Sequence, residues 1–212
     1  MITVGLSGNR YSGKKTVCTL FEKIGIPVFD ADTVLKFILN YNQDVLSDIR
    51  KVLGNDAFYG HSLDFRHLNK KQFESILSIV EADIFKAYTR FNKMHQDKGA
   101  IYTIFKSSVL FEYEWDKKVD LSINVFSPDT DRMKRCKYKT NMGLLIIRDK
   151  MKEEMDSLEK SNLADYIIKN NNEDSIGFDS KSPSASLLKQ INEIDQEIIN
   201  EYIYMESLNA VV

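Results

Sequence analysis

In Ile2-Thr3-Val4-Gly5-Leu6-Ser7-Gly8-Asn9-Arg10-Tyr11-Ser12-Gly13-Lys14-Lys15-Thr16-Val17, an apolar run gives way to a glycine-bounded loop and then to a helical pattern. Ile2 to Leu6 is short and rich in β-branched residues, the composition of a buried strand, and Ser7-Gly8 predicts a tight turn after it. From Lys14 onward Val17, Leu20, Phe21 and Ile24 recur at three- and four-residue spacing, so one helix face can pack on a sheet, and Gly25 is placed to end it. Ile26 to Phe29 reads as a second strand, with Pro27 near its start, where a missing N–H costs least. Strand, helix and strand in so short a span predict a parallel sheet with a crossover helix, an α/β fold.

The remaining chain extends this pattern. Ala31 to His95 is mostly helical by spacing, with a break over Gly54 to Ser62. Strand character returns at Ala100 to Phe105, Val119 to Phe126 and Tyr166 to Ile168. Asp129 to Lys139 and Leu144 to Leu158 read as charged amphipathic helices, and Pro183 after Ser182 opens a final helix to about Ser207. The expected organisation is one domain over 1–212: a helical region over about 31–99, a lid over about 129–160 and a C-terminal helix over about 183–208.

Composition narrows the function classes. The 212 residues are 43% hydrophobic and 28% charged, values of an ordinary globular chain rather than a disordered or collagen-like one. Lys and Arg number 29 against 31 Asp and Glu, a net charge of -2, which gives no general electrostatic reason to hold nucleic acid or an anionic membrane. Any polyanion must be held locally. Cys18 and Cys136 are too few for a disulfide framework, and no basic region followed by a long apolar run is visible after Met1, so the cytoplasm is the expected compartment. His61, His67 and His95 lack metal-ligand or triad spacing. Phe111, Tyr113 and Trp115 read as core rather than as a stacking platform.

The loop carries the chemistry. Gly8-Asn9-Arg10-Tyr11-Ser12-Gly13-Lys14 matches the first seven positions of G-x-x-x-x-G-K-[ST], between a strand and a helix as that motif requires. Glycines let successive backbone N–H groups turn inward around phosphate oxygens, the helix N-terminus adds a positive dipole end, and Lys14 reaches the terminal phosphates. A nucleoside triphosphate is the expected guest. At the eighth position Lys15 replaces the hydroxyl that coordinates magnesium, and the adjacent Thr16 is rotated by about 100° on a helix. Lys15 either places an ammonium beside the phosphates or leaves a weakened site.

Beyond the loop, Phe21-Glu22-Lys23-Ile24-Gly25-Ile26-Pro27-Val28-Phe29-Asp30-Ala31-Asp32, Leu63-Asp64-Phe65-Arg66-His67-Leu68, Val109-Leu110-Phe111-Glu112 and Ala164-Asp165-Tyr166-Ile167-Ile168-Lys169-Asn170 complete a pattern. Together with the loop, these segments resemble the dephospho-coenzyme A kinase family over about residues 2 to 170. The resemblance implies a P-loop NTPase fold, an adenylate-kinase-like parallel sheet flanked by helices, with a helical substrate-binding excursion and a lid. It implies ATP-dependent phosphorylation of the 3′-hydroxyl of dephospho-coenzyme A, with ATP and Mg2+ as cofactors and a monomer or small homo-oligomer acting on a small molecule. Gly8, Asn9, Arg10, Tyr11, Ser12, Gly13, Lys14, Lys15 and Thr16 would hold the donor, with Asp32, Lys14 and Arg135 catalytic. Asp30, Asp32, Arg66 and Glu112 would bind the acceptor, and Thr16 and Asp32 a metal.

Two readings stay open beside this one. Asp30 reads equally as a cap of the helix that follows, since Asp is a favoured N-cap, and Asp32 has the same alternative beside its favoured functional reading. Glu81-Ala82, Ser108 and Glu154 stand where the family pattern has His-Pro, a proline and a glutamine. Its lid arginines fall on Lys134 and Tyr138 in one register or Arg135 and Lys139 in the next, within a basic run that also holds Arg132 and Lys137. The alternatives are a kinase for another nucleotide-like acceptor, such as a deoxynucleoside monophosphate, and a degenerate protein that binds nucleotide or coenzyme A without turnover.

Overall fold

The computed structural model describes residues 1–60, 62–64, 68–140, 154–171 and 184–209. Five strands form one sheet: β1 Ile2–Ser7, β2 Val28–Asp30, β5 Tyr102–Lys106, β6 Leu121–Phe126 and β7 Tyr166–Lys169, in the order β2-β5-β1-β6-β7. β1 pairs in parallel with β5 and β6, and β6 with β7. The expected parallel sheet is therefore present, and its strands fall within two residues of the expected starts and ends.

The chain divides into two compact units, Met1–Phe29 with His95–Val212, and Asp30–Met94. In the first, period-two alternation along β1 separates two faces. Val4 and Leu6 join Val17, Leu20 and Phe21 of α1 (Lys14–Lys23), together with Leu187, Ile191, Ile194 and Ile198 of the last helix, in one buried cluster. The last four recur at three- and four-residue spacing and form one stripe, so this helix docks on the sheet. Each such side chain contributes about 1.5–3 kcal/mol on burial. On the opposite face Gly5 lies against Leu110, and Phe105 meets Trp115 edge-on with centroids 6.0 Å apart and stacks on Phe29 at 5.7 Å. Trp115 and Phe111 are thus core, as expected.

In the second unit, α2 (Ala31–Tyr41) is capped by Asp30, whose carboxylate accepts from Thr33 N at 3.1 Å. α3 (Gln43–Leu53) is capped by Asn42 in the same way. The break at Gly54 is more than a loop: β3 (Phe58–Tyr59) and β4 (Ser62–Leu63) pair antiparallel. Arg50 sits 4.1 Å over the Phe58 ring and donates to Gly60 O, holding the turn. α4 (Lys70–Gln96) starts on a reciprocal cap between Asn69 and Gln72, both bonds 2.9 Å.

Two helical expectations change at their ends. The helix expected over Leu144 to Leu158 lies largely outside the described residues, but residues 154–156 are not helical. α6 begins instead at Ser157 and runs to Leu163, because Asp156 accepts from Leu158 N and Glu159 N and sets the N-terminus there. The final helix, α7, spans Ala185–Asn209, with Ser184 Oγ accepting from Leu187 N at 3.1 Å. The expected start at Pro183 is outside the described residues. α5 (Asp129–Thr140) agrees with expectation. Among the described residues, no helix is long and apolar enough to cross a membrane.

Candidate active site

Because β1, β6 and β7 run the same way, the segments that leave their carboxyl ends gather at one edge: Gly8–Gly13 after β1, Ser127 and α5 after β6, Asn170 after β7. This is where open parallel sheets hold ligands. The loop's shape follows from three positive φ values. Gly8 at +151° leaves no room for a side chain, since a Cβ would meet Val125 O at 2.5 Å. A Cβ at Gly13, where φ is +102°, would come closer still, 2.0 Å from Asn170 Nδ2. Between them Tyr11 takes φ +62°, a left-handed conformation that costs about 1–3 kcal/mol and persists only where its surroundings hold it.

Ser12 N donates to Asn9 O, and Val17 N to Gly13 O, closing the turn into α1. The first-turn amides of α1 have no intrahelical acceptor and carry the positive end of the helix dipole. Lys14 folds back over the loop, its Nζ donating to Gly8 O at 2.6 Å and Asn9 O at 3.2 Å. Lys15 and Thr16 are exposed.

The loop is held from behind by residues of three other segments. Arg132 Nε donates to Arg10 O at 2.9 Å, and its remaining nitrogens pair with Asp129 and Glu154. Glu154 accepts in turn from Arg10 N at 3.0 Å. Arg135 Nη1 donates to Tyr11 O at 3.0 Å, Ser12 O at 3.3 Å and Ser127 Oγ at 3.0 Å, and its Nη2 to Asn170 O at 2.9 Å. Asn170 Nδ2 donates to Ser12 O at 2.7 Å, and Asn9 Nδ2 to Met155 O at 2.9 Å. Burial pushes the Arg135 guanidinium below its ordinary pKa while Asp131 opposes this. An arginine in such surroundings stays charged.

Several buried polar atoms at this edge have no hydrogen-bond partner among the described residues: Ser7 Oγ, Asn9 Oδ1, Ser12 Oγ, Asn124 Oδ1 and Ser157 Oγ. Ser7 and Asn124 are register partners across β1 and β6, and Asn124 Nδ2 donates to Ser161 Oγ, so the atoms lie along one polar margin beneath the loop. Beside it Lys160, 1% exposed, pairs with Glu112 at 2.6 Å and donates to Ser108 O at 3.3 Å.

The expected site residues thus fall into groups. Gly8 through Thr16 are contiguous in the loop and α1. Arg135 is brought to the loop, and Glu112 to Lys160. Asp30 caps α2, and Asp32 lies half-buried in its first turn, both in the second unit. Arg66 lies outside the described residues. Arg132, Glu154, Asn170 and Lys160 were absent from the expected set. For Arg132 a signal existed, since it stands three residues before Arg135 and shares its helix face.

Lys15 does not itself fit a magnesium ion on the phosphates. The eighth position brings an ammonium rather than the hydroxyl oxygen that would ligate the ion, which leaves Thr16 and Asp32 as the residues that would hold it.

The chain is similar to known proteins in sequence and in fold. A family model for dephospho-CoA kinase (CoaE) matches residues 2–175. The dephospho-CoA kinase of Salinibacter ruber is 28% identical over 177 residues, covering 80% of this chain and 89% of its own. The crystal structure of TT1252 from Thermus thermophilus superposes with a TM-score of 0.72 at 20% identity, over 92% of this chain and 96% of that one. Dephospho-CoA kinase from Campylobacter jejuni gives 0.51 at 17%, again over 92% and 96%. With a match over residues 2–175 and a phosphate loop at its head, the chain belongs to the dephospho-CoA kinase family.

Proposed function

We propose that the chain transfers the γ-phosphoryl group of ATP to the 3′-hydroxyl of dephospho-CoA. The observation that carries this reading is the loop: Gly8 and Gly13 admit no side chain, and Lys14 is poised over the turn at the N-terminus of α1. Residues Gly8 to Thr16 hold the donor, and Lys14 exchanges Gly8 O for phosphate oxygens. In the reaction the bond from the γ-phosphorus to its bridging oxygen breaks, a bond to the acceptor oxygen forms, ADP leaves, and the acceptor proton passes to the Asp32 carboxylate. Asp30, Arg66 and Glu112 complete the acceptor side.

The test is ADP release on an acceptor panel of dephospho-CoA, deoxynucleoside monophosphates and water alone. Turnover is expected with dephospho-CoA. In the Asp32→Asn variant it should fall by about 10²–10⁴-fold, the usual share of general-base help. A second reading, nucleotide binding without turnover, draws on Lys15 at the metal position. Saturable ATP binding with no product on any acceptor would favour it over the first.

A further inference from the structure

Three consecutive carbonyls of the phosphate loop point at one group of donors. Arg10 O is taken by Arg132, Tyr11 O by Arg135, and Ser12 O by both Arg135 and Asn170. In a trans peptide the C=O of one residue and the N–H of the next point in opposite directions. Drawing those carbonyls toward α5 and Asn170 therefore turns the N–H groups of Tyr11 and Gly13 toward the opposite, open side. Ser12 N, the third in the series, closes the turn on Asn9 O instead. The same contacts hold Tyr11 in its left-handed conformation.

We propose that Arg135, together with Asn170, is a positioning residue that sets the direction of the donor-binding amides, rather than a group that touches the transferred phosphoryl. This rests on the reading of Gly8–Lys14 as the donor loop. Arg135 has a geometric reason for being arginine: one nitrogen serves Tyr11 O, Ser12 O and Ser127 Oγ while the other reaches Asn170 O, a fork that a lysine ammonium does not reproduce. Asn170 is placed to act in the same unit, since its own N–H is fixed to Phe126 O at 2.8 Å.

The two roles separate in the ligand they affect. A residue acting on the γ-phosphoryl leaves ADP affinity alone and lowers kcat. A residue that aims the loop weakens ADP and ATP alike. The experiment measures ADP and ATP binding by calorimetry, and kcat and KM for ATP, in the full chain and in Arg135→Lys, Arg135→Gln and Asn170→Ala, with a thermal melt for each. Expected is an ADP affinity lower by about tenfold or more in Arg135→Gln and Asn170→Ala, an equal loss for ATP, incomplete rescue in Arg135→Lys, and a smaller change in kcat at saturating ATP. Unchanged ADP affinity with a collapsed kcat in folded Arg135→Gln overturns the proposal. If that variant does not fold, unchanged ADP affinity in Asn170→Ala overturns it. If the unaltered chain binds neither nucleotide, the donor-loop reading itself fails, and the proposal with it.

Discussion

Gly13 is the residue at which geometry is least forgiving. Its φ is +102° and an added Cβ would lie 2.0 Å from Asn170 Nδ2, so one methyl group strains the backbone and displaces the amide that holds Ser12 O. Gly13→Ala should therefore cost about 2 kcal/mol of stability and at least tenfold in ADP affinity, read by urea titration and calorimetry. An alanine variant that keeps both would show that the loop is looser than described. Lys15 makes a different statement. Because an ammonium cannot ligate a cation, ADP affinity in the unaltered chain should respond little to magnesium. Lys15→Ser should introduce a magnesium-dependent gain of about tenfold. A loss of affinity in Lys15→Ser, with or without the ion, would show instead that the lysine itself holds phosphate.

Among the elements, α6 owes its place to a buried charge. Lys160, 1% exposed, reaches Glu112 and Ser108 in the segment after β5, tying a short helix to the strand edge that builds the site. Lys160→Met keeps the volume but strands the Glu112 carboxylate, and should cost about 3–5 kcal/mol, visible as a lowered denaturation midpoint. Replacing both partners by apolar residues should recover part of that loss. The strands and most helices were legible because each announces itself within its own residues: β-branched runs for β1, β5 and β6, and helical spacing for α1 and α4. The hairpin of β3 and β4 was not read, although Phe58-Tyr59-Gly60-His61-Ser62-Leu63 carries a two-residue turn signal, because surrounding helical periodicity outweighed so short a pattern. In the site, the loop itself was legible from spacing. What could not be read was which way the α5 arginines turn: Arg132 and Arg135 sit in a run of charge common to solvated helices, and only the parallel order of β1, β6 and β7 places carbonyls before them.

For the whole molecule, the sheet-bearing unit is closed by α7, whose apolar stripe is supplemented by polar ties: Gln190 exchanges two hydrogen bonds with the Lys169 backbone, and Tyr102 OH donates to Asp195 Oδ1 at 2.7 Å. Burial first, then the bond to Asp195 and its charge, push the Tyr102 hydroxyl far above the ordinary phenol range. A pKa raised on folding gives stability that is complete below the unfolded value of about 10 and is lost as pH climbs beyond it, since the native state then holds a proton the unfolded chain has released. Tyr102→Phe should be less stable by about 1 kcal/mol at neutral pH and should show a shallower decline above pH 10 in denaturant titrations. The same unit carries the phosphate loop at its strand edge, and the account as a whole stands on amides there meeting phosphate oxygens. The most direct test is the backbone amide NMR spectrum of the full chain titrated with ADP and, separately, with adenosine. The account predicts that the Tyr11, Gly13 and Lys14 resonances move with ADP and stay in place with adenosine; amides that ignore ADP, or answer both ligands equally, would contradict it.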